Sequence, residues 1–170
     1  MPATFQPIET KTLASTAASV VFSNIPSNYT DLVLICDTQI LNNDYMLALR
    51  FNGDSTTLYS YTTLDGNGSI AESSRRSGMS LGTMQRIVSN GSRFISITHI
   101  MDYSNTTTNK TYIARGNQAG RWVSANVGLY RNTSAISSVT VSEAGDGGTG
   151  SFTGHLASGS TFTLYGVKAG

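Results

Sequence analysis

The chain has one cysteine, three prolines, two histidines and few charges in its 170 residues, and each shortage removes a class of protein. Cys36 alone cannot close an intrachain disulfide. It ends the apolar run Leu32-Val33-Leu34-Ile35-Cys36, where a thiol behaves as a small buried hydrophobe. A cysteine-rich zinc site is excluded as well. Charged side chains are 12% of the total, 11 basic against 10 acidic, so no field draws nucleic acid or an anionic membrane, and neither is expected as a partner. No apolar run approaches the roughly 18 residues of a membrane helix. Met1-Pro2-Ala3 runs into polar residues without the basic start and apolar segment of a signal peptide, so none is expected.

What is present is strand pattern. Apolar residues make up 39% of the chain, with one Trp, eight Tyr and six Phe, enough for a folded core, and at this length a single domain is expected. Tyr45, Leu47, Leu49 and Phe51 share one parity. Asn52-Gly53-Asp54 breaks the run and Tyr59, Tyr61 and Thr63 resume it, so Asp44 to Leu64 reads as a hairpin with Arg50 and Asp54 as its structural braces. Leu32 to Cys36 is apolar on both parities, which suits a central strand covered on both faces. Residues 93–103 and 110–116 propose a second hairpin, with Ile95, Ile97, His99, Met101 and Tyr103 on its more apolar parity. In Trp122 to Tyr130, the residues Val123, Ala125, Val127 and Leu129 form a clean parity expected to be buried. Further strands are expected at 18–22, 84–88, 136–141 and 160–167, for about ten in all and no helix. The expected fold is all-β, an antiparallel sandwich of jelly-roll type over residues 16–170, preceded by an extended arm over residues 1–15.

Chemical sites are scarce. His99 and His155 are the available imidazole bases, and neither belongs to an HxH or HExxH pattern. His99 shares its parity with isoleucines and is expected in a core or interface, while His155 follows a loop and is expected to be exposed. The Asp65-Gly66-Asn67-Gly68-Ser69 stretch starts like a calcium loop, but Ile70 stands where the sixth-position Gly is required and Arg76 where the bidentate Glu is. The glycine-rich segment 144–150 is followed by neither a Lys nor a helix pattern, so it is no phosphate loop. The carboxylates lie mostly beside predicted turns, with no pair placed for sugar hydrolysis. Six Asn-x-Ser/Thr triplets are what a chain this rich in Ser, Thr and Asn produces by chance. No catalytic residue, metal or cofactor is expected. Subunit contacts are expected at Phe5 and Ile8 in the arm, and at Arg75 and Arg76, in an exposed polar loop over residues 70–80 that would meet an acidic neighbour.

The stretches Val20 to Leu34 (VVFSNIPSNYTDLVL), Ala48 to Gly68 (ALRFNGDSTTLYSYTTLDGNG) and Gly159 to Gly170 (GSTFTLYGVKAG) together resemble a family of small virion structural proteins of tailed bacteriophages. The resemblance runs from about Ser19 onward and leaves out the first fifteen residues and the 70–80 segment. It implies a β-sandwich attached to the particle and made in the host cytoplasm. Two placements follow. A head decoration or cement protein would bind the major capsid protein and copies of itself, as a homotrimer. A tail-fibre or receptor-binding tip would present the same sandwich to host surface glycans.

Overall fold

The computed structural model describes residues 4–41, 45–86, 91–118, 120–145 and 155–168. Twelve strands occur among them: β1 (Phe5–Thr12), β2 (Ser19–Phe22), β3 (Asp31–Gln39), β4 (Tyr45–Phe51), β5 (Tyr59–Gly66), β6 (Ala71–Met79), β7 (Gly82–Arg86), β8 (Arg93–Met101), β9 (Lys110–Gln118), β10 (Trp122–Tyr130), β11 (Val139–Gly145) and β12 (Thr161–Val167). Every pairing is antiparallel. An eight-stranded sheet runs β1-β12-β3-β8-β9-β10-β5-β6, and a four-stranded sheet, β2-β11-β4-β7, packs on it. The fold is thus the all-β, jelly-roll-like sandwich expected from the alternation. Part of the glycine-rich segment (146–150), the Asn90 of one predicted turn and residues 87–88 of one predicted strand lie outside the described residues.

The core fills the gap between the sheets. Val20 and Phe22 of β2, Leu47, Leu49 and Phe51 of β4, and Val139 and Val141 of β11 face Leu32, Leu34 and Cys36 of β3 and Phe162 and Leu164 of β12. Burial pushes the Cys36 thiol far above its ordinary range, as the apolar run implied. Four rings join the two layers at one end. Tyr59 stacks on Tyr130 at 4.6 Å between centroids, and Phe51 reaches Tyr130 at 5.6 Å and Tyr112 at 6.1 Å.

The segment read as a hairpin is a crossover. Asn52 and Gly53 take φ of 53° and 67°, and the Asp54 N–H donates to Phe51 O at 2.9 Å, so the turn forms as the residue types require. The chain then changes layer: β4 pairs with β11 and β7, whereas β5 pairs with β10 and β6. Two apolar runs on one parity are as compatible with facing sheets as with neighbouring strands, and the aromatic contact between Phe51 and Tyr59 decides for facing sheets. Arg50 and Asp54 brace this crossover through other elements. The Arg50 Nε donates to Ser80 O at 2.9 Å. Asp54 accepts from Thr56 N at 2.8 Å and Tyr130 Oη at 2.6 Å. Slight burial alone would raise the Asp54 carboxyl, but the bonds from Thr56, Tyr130 and Asn132 hold it below its ordinary value. Asn52 ties this crossover to the one between β10 and β11, donating to Ala135 O at 2.9 Å and accepting from Ser137 N at 2.8 Å.

Two other segments differ from expectation. Residues 71–79 are β6, an edge strand rather than a loop; it is exposed along nearly its whole length, so no alternation marks it in the sequence. Within the segment expected as an arm, Phe5–Thr12 is indeed extended, and it pairs with β12 of its own chain, with a bulge between Pro7 and Glu9. Both edges of the large sheet are thus guarded, one by a proline and a bulge and the other by Glu72, Arg75 and Arg76.

Candidate functional site: the outer face of the large sheet

Side chains alternate across a strand, so each strand of the large sheet sends one parity into the sandwich and the other to the outer surface. On β8 and β10 the outward parity is the more apolar one, and β9 between them turns Ile113 outward beside Thr111, Arg115 and Asn117. Ser96 and Thr98 of β8 and Ser124 and Asn126 of β10 are buried, while Ile95 is 49% exposed, Ile113 46%, Val123 61% and Val127 57%. The parity of Val123, Ala125, Val127 and Leu129, expected in the core, therefore faces outward. His99 follows the same rule: it lies on the outer face with its side chain 46% exposed, and its Nε2 is 3.1 Å from Asp31 Oδ2. On β3 the outward parity holds Val33, which is buried, and Ile35, which is half-buried, so this strand is largely covered on its outer side as well.

The interior bears a cost for this arrangement. Asn126 donates to Met84 O at 2.9 Å and Ser124 donates to Asp65 Oδ1. The Gln85 and Gln118 amides, Ser96 Oγ, Thr98 Oγ1 and Asn126 Oδ1 are buried with no hydrogen-bond partner among the described residues. Each such group costs on the order of 1–3 kcal/mol. Gln85 fits only because the strand opposite has no side chain there: a Cβ on Gly116 would lie 2.0 Å from Gln85 Oε1.

Register aligns the outward residues in rows across five strands. The middle row is Ile35, Ile97, Arg115, Ala125, Leu64. One flanking row is Val33, His99, Ile113, Val127, Thr62, and the other is Asp37, Ile95, Asn117, Val123, Gly66. With strands ~4.8 Å apart and same-face residues ~6.7 Å apart, three rows across five strands cover roughly 480 Å² including their polar members, within the range of the largest patch a monomer leaves exposed. Three shallow hollows dimple the face, of about 390 Å³ beside Phe5, Val33 and Ile113, about 400 Å³ beside Ile95 and Val123, and about 500 Å³ beside Leu64 and Ala125.

Charge on the face is asymmetric. Its two carboxylates lie at the β3 margin and are engaged: Asp37 with Arg93 Nε at 3.0 Å, and Asp31 with His99 and with the Asp102 N–H at 2.7 Å. Arg115, on the central strand β9 in the middle row, borders two of the hollows, and its guanidinium has no hydrogen bond or ion pair to another described residue.

Of the residues expected from the sequence to make contacts, Phe5 is 56% exposed and lines the first hollow with His99. Ile8 packs against the chain's own core. Arg75 and Arg76 are neighbours on β6 and so point to opposite sides. Arg75 stands opposite Thr62 on the outer face. Arg76 enters a polar cleft of about 190 Å³ where the large sheet overhangs β7, with Asp65, Glu72 and Arg86. Sequence reasoning missed Arg115 and the aliphatics around it. The signal was the clean alternation of β10 itself, read with the wrong side inward. Among the described residues no group of three His, Cys, Asp or Glu could hold a metal ion. His155, expected to be exposed, is bonded through Nδ1 to the fully buried Glu143.

No protein-family model matches the sequence, and no curated protein aligns with it significantly. Solved structures with a similar arrangement include the galectin LEC-6 of Caenorhabditis elegans, at 9% identity over 94% of this chain and 96% of that one, with a TM-score of 0.37. They also include an alginate lyase in complex with an alginate tetrasaccharide, at 10% identity over 94% and 79% with a TM-score of 0.37, and an alginate lyase from a Chlorella virus, at 10% over 95% and 83% with a TM-score of 0.32. At these scores the likenesses carry nothing about ligand or activity.

Proposed function

We propose that the chain is a non-enzymatic structural component of a tailed-phage virion, a decoration or cement protein on the outer surface of the head. Its partners are the major capsid protein and copies of itself, in a homotrimer. One observation carries this reading: two central strands, β8 and β10, keep their aliphatic parity outside, with Ile113 of β9 between them, while hydroxyl and amide side chains occupy the interior. A face with that composition is stabilised when another protein covers it. The near-neutral surface suits dense packing of many copies, and the likeness of the three sequence stretches to phage virion proteins supports the placement. Counting the chain in purified virions by quantitative mass spectrometry tests it. On the order of hundreds of copies per particle is expected of a protein that follows capsid symmetry, and a few to a few dozen would refute the head placement.

A second reading, a tail-appendage tip that recognises host glycans, is favoured by the polar cleft. There Asp65, Glu72, Arg76 and Arg86 offer donors and acceptors of the kind sugar hydroxyls use. Retention of the purified chain on an array of host surface polysaccharides, lost on Arg76→Ala, would favour this reading over decoration.

A further inference from the structure

We infer that the outer face binds a protein surface that is apolar and carries a carboxylate opposite Arg115, and that this surface is not the same face of a second copy. The inference rests on reading the face as an assembly surface and goes further by naming the chemistry of what covers it.

Three observations carry it. The first is the place of Arg115, on the third of five strands, with Ile97 and Ala125 beside it in its row and Ile113 two residues before it on β9. A cover that buried the aliphatics would also bury this guanidinium, and an unpaired buried charge costs several kcal/mol. A carboxylate meets the planar fork with two parallel hydrogen bonds and removes that cost. The second is that the face offers no carboxylate for the purpose among the described residues, since Asp31 and Asp37 lie two strands away and off Arg115's row, more than ~10 Å from it, and are held by His99, Asp102 and Arg93. In a two-fold contact each patch meets its own copy. Two Arg115 side chains would then converge near the axis in an apolar interface, where like charges repel most strongly. The third is that association along the sheet edges is blocked, by Pro7 and the bulge on β1 and by the charges of β6. Among the described residues, Leu64, Ile95, Ile113, Val123 and Val127, most of the exposed large aliphatics, lie on this face.

Two arms test the inference separately from the functional reading. The first uses an apolar anion, 8-anilinonaphthalene-1-sulfonate, beside a neutral apolar dye, N-phenyl-1-naphthylamine, on the natively folded chain. Both are expected to bind. Arg115→Glu should weaken the anion at least ~10-fold and leave the neutral dye within twofold, whereas Val127→Asp should weaken both. No binding of the anion, or equal affinity in the Arg115→Glu variant, overturns the inference. Its second clause is read from Val127→Cys under mild oxidation at micromolar concentration. No disulfide-linked dimer is expected, and one formed at that position overturns it. In the second arm, capsids of the encoding phage depleted of the chain are titrated with it. Wild type should bind, Arg115→Glu ~30-fold or more weakly, and Arg115→Lys in between because an ammonium lacks the two-pronged fork. Capsid binding that survives Arg115→Glu unchanged overturns the inference. Wild type that fails to bind capsids, with the dye arm as expected, refutes the head placement and leaves the chemistry of the face standing.

Discussion

Replacing Gly128 with Ala should unfold the sandwich far more readily than a single methyl group suggests. Tyr112 of β9 stands opposite Gly128 of β10, and its ring lies flat over that glycine. A Cβ there would sit 1.9 Å from Tyr112 Cζ and 2.1 Å from Cε1, well inside van der Waals contact. The ring has nowhere to retreat. It is fully buried, its Oη donates to Thr83 O at 3.1 Å, a Cβ on Gly82 would lie 2.4 Å from that oxygen, and Phe51 meets its edge at 78°. Overpacking of this severity costs about 3 kcal/mol. At a urea slope of about 2 kcal/mol per molar, the unfolding midpoint should fall by about 1.5 M. Equilibrium urea unfolding followed by Trp122 fluorescence measures it. The explanation also predicts coupling: in a Tyr112→Ala background, itself destabilised by about 3–5 kcal/mol, Gly128→Ala should cost less than about 1 kcal/mol because the ring it strikes is gone. A Gly128→Ala variant within about 0.5 kcal/mol of wild type, or one with the same cost in both backgrounds, would refute the reasoning.

Asp54 should give the chain part of its acid sensitivity. Its folded carboxyl lies below the ordinary value, so the stability it contributes is present above about pH 4 and lost as pH falls through the folded value; Asp54→Asn should flatten the stability curve below about pH 4 in acid titrations followed by circular dichroism. Asn52→Ala removes the bonds to Ala135 O and from Ser137 N and places a methyl side chain at φ 53°, and should cost about 2 kcal/mol by chemical denaturation. Val127→Ser, on the outer face, should leave stability within about 0.5 kcal/mol, and a larger loss would mean the side chain is buried in the free chain. Cys36 should resist thiol reagents until the chain unfolds, since its thiol is buried and held protonated; labelling at the native rate of an exposed thiol would contradict the packing of β3.

Periodicity revealed where the strands are and left open which way they face. Alternation is equally clear whether the apolar parity points inward or outward, because a period of two carries no sign. The sign of β10 comes from neighbours in space: Gly116 and Gly128 make room for Gln85 and Tyr112 on the inner side, and nothing local to Trp122–Tyr130 announces this. The same limit turned a crossover into an apparent hairpin, since Asn52-Gly53 reverses the chain whether the next strand joins its own sheet or the facing one. Strand β6 was invisible for the opposite reason: an edge strand exposed on both sides has no pattern to read. The lone guanidinium of Arg115 was legible as a residue but not as a site, because its significance lies in Ile97 and Ala125, each on a different strand.

The place of β12 bears on how the chain comes to be folded. This last strand lies between β1 and β3 in the large sheet, bonded to both, so the first strand has no neighbour until nearly the whole chain is available. While the chain is still being made, Leu32 to Cys36 of β3 would present an apolar, unpaired edge, and every route to the complete sheet must close the longest loop the sequence allows. Contacts of such high sequence separation form slowly, and open edges of this composition are where newly made chains stick to one another. Yield on expression should therefore follow the rate at which β12 finds its slot more closely than the stability of the finished sandwich.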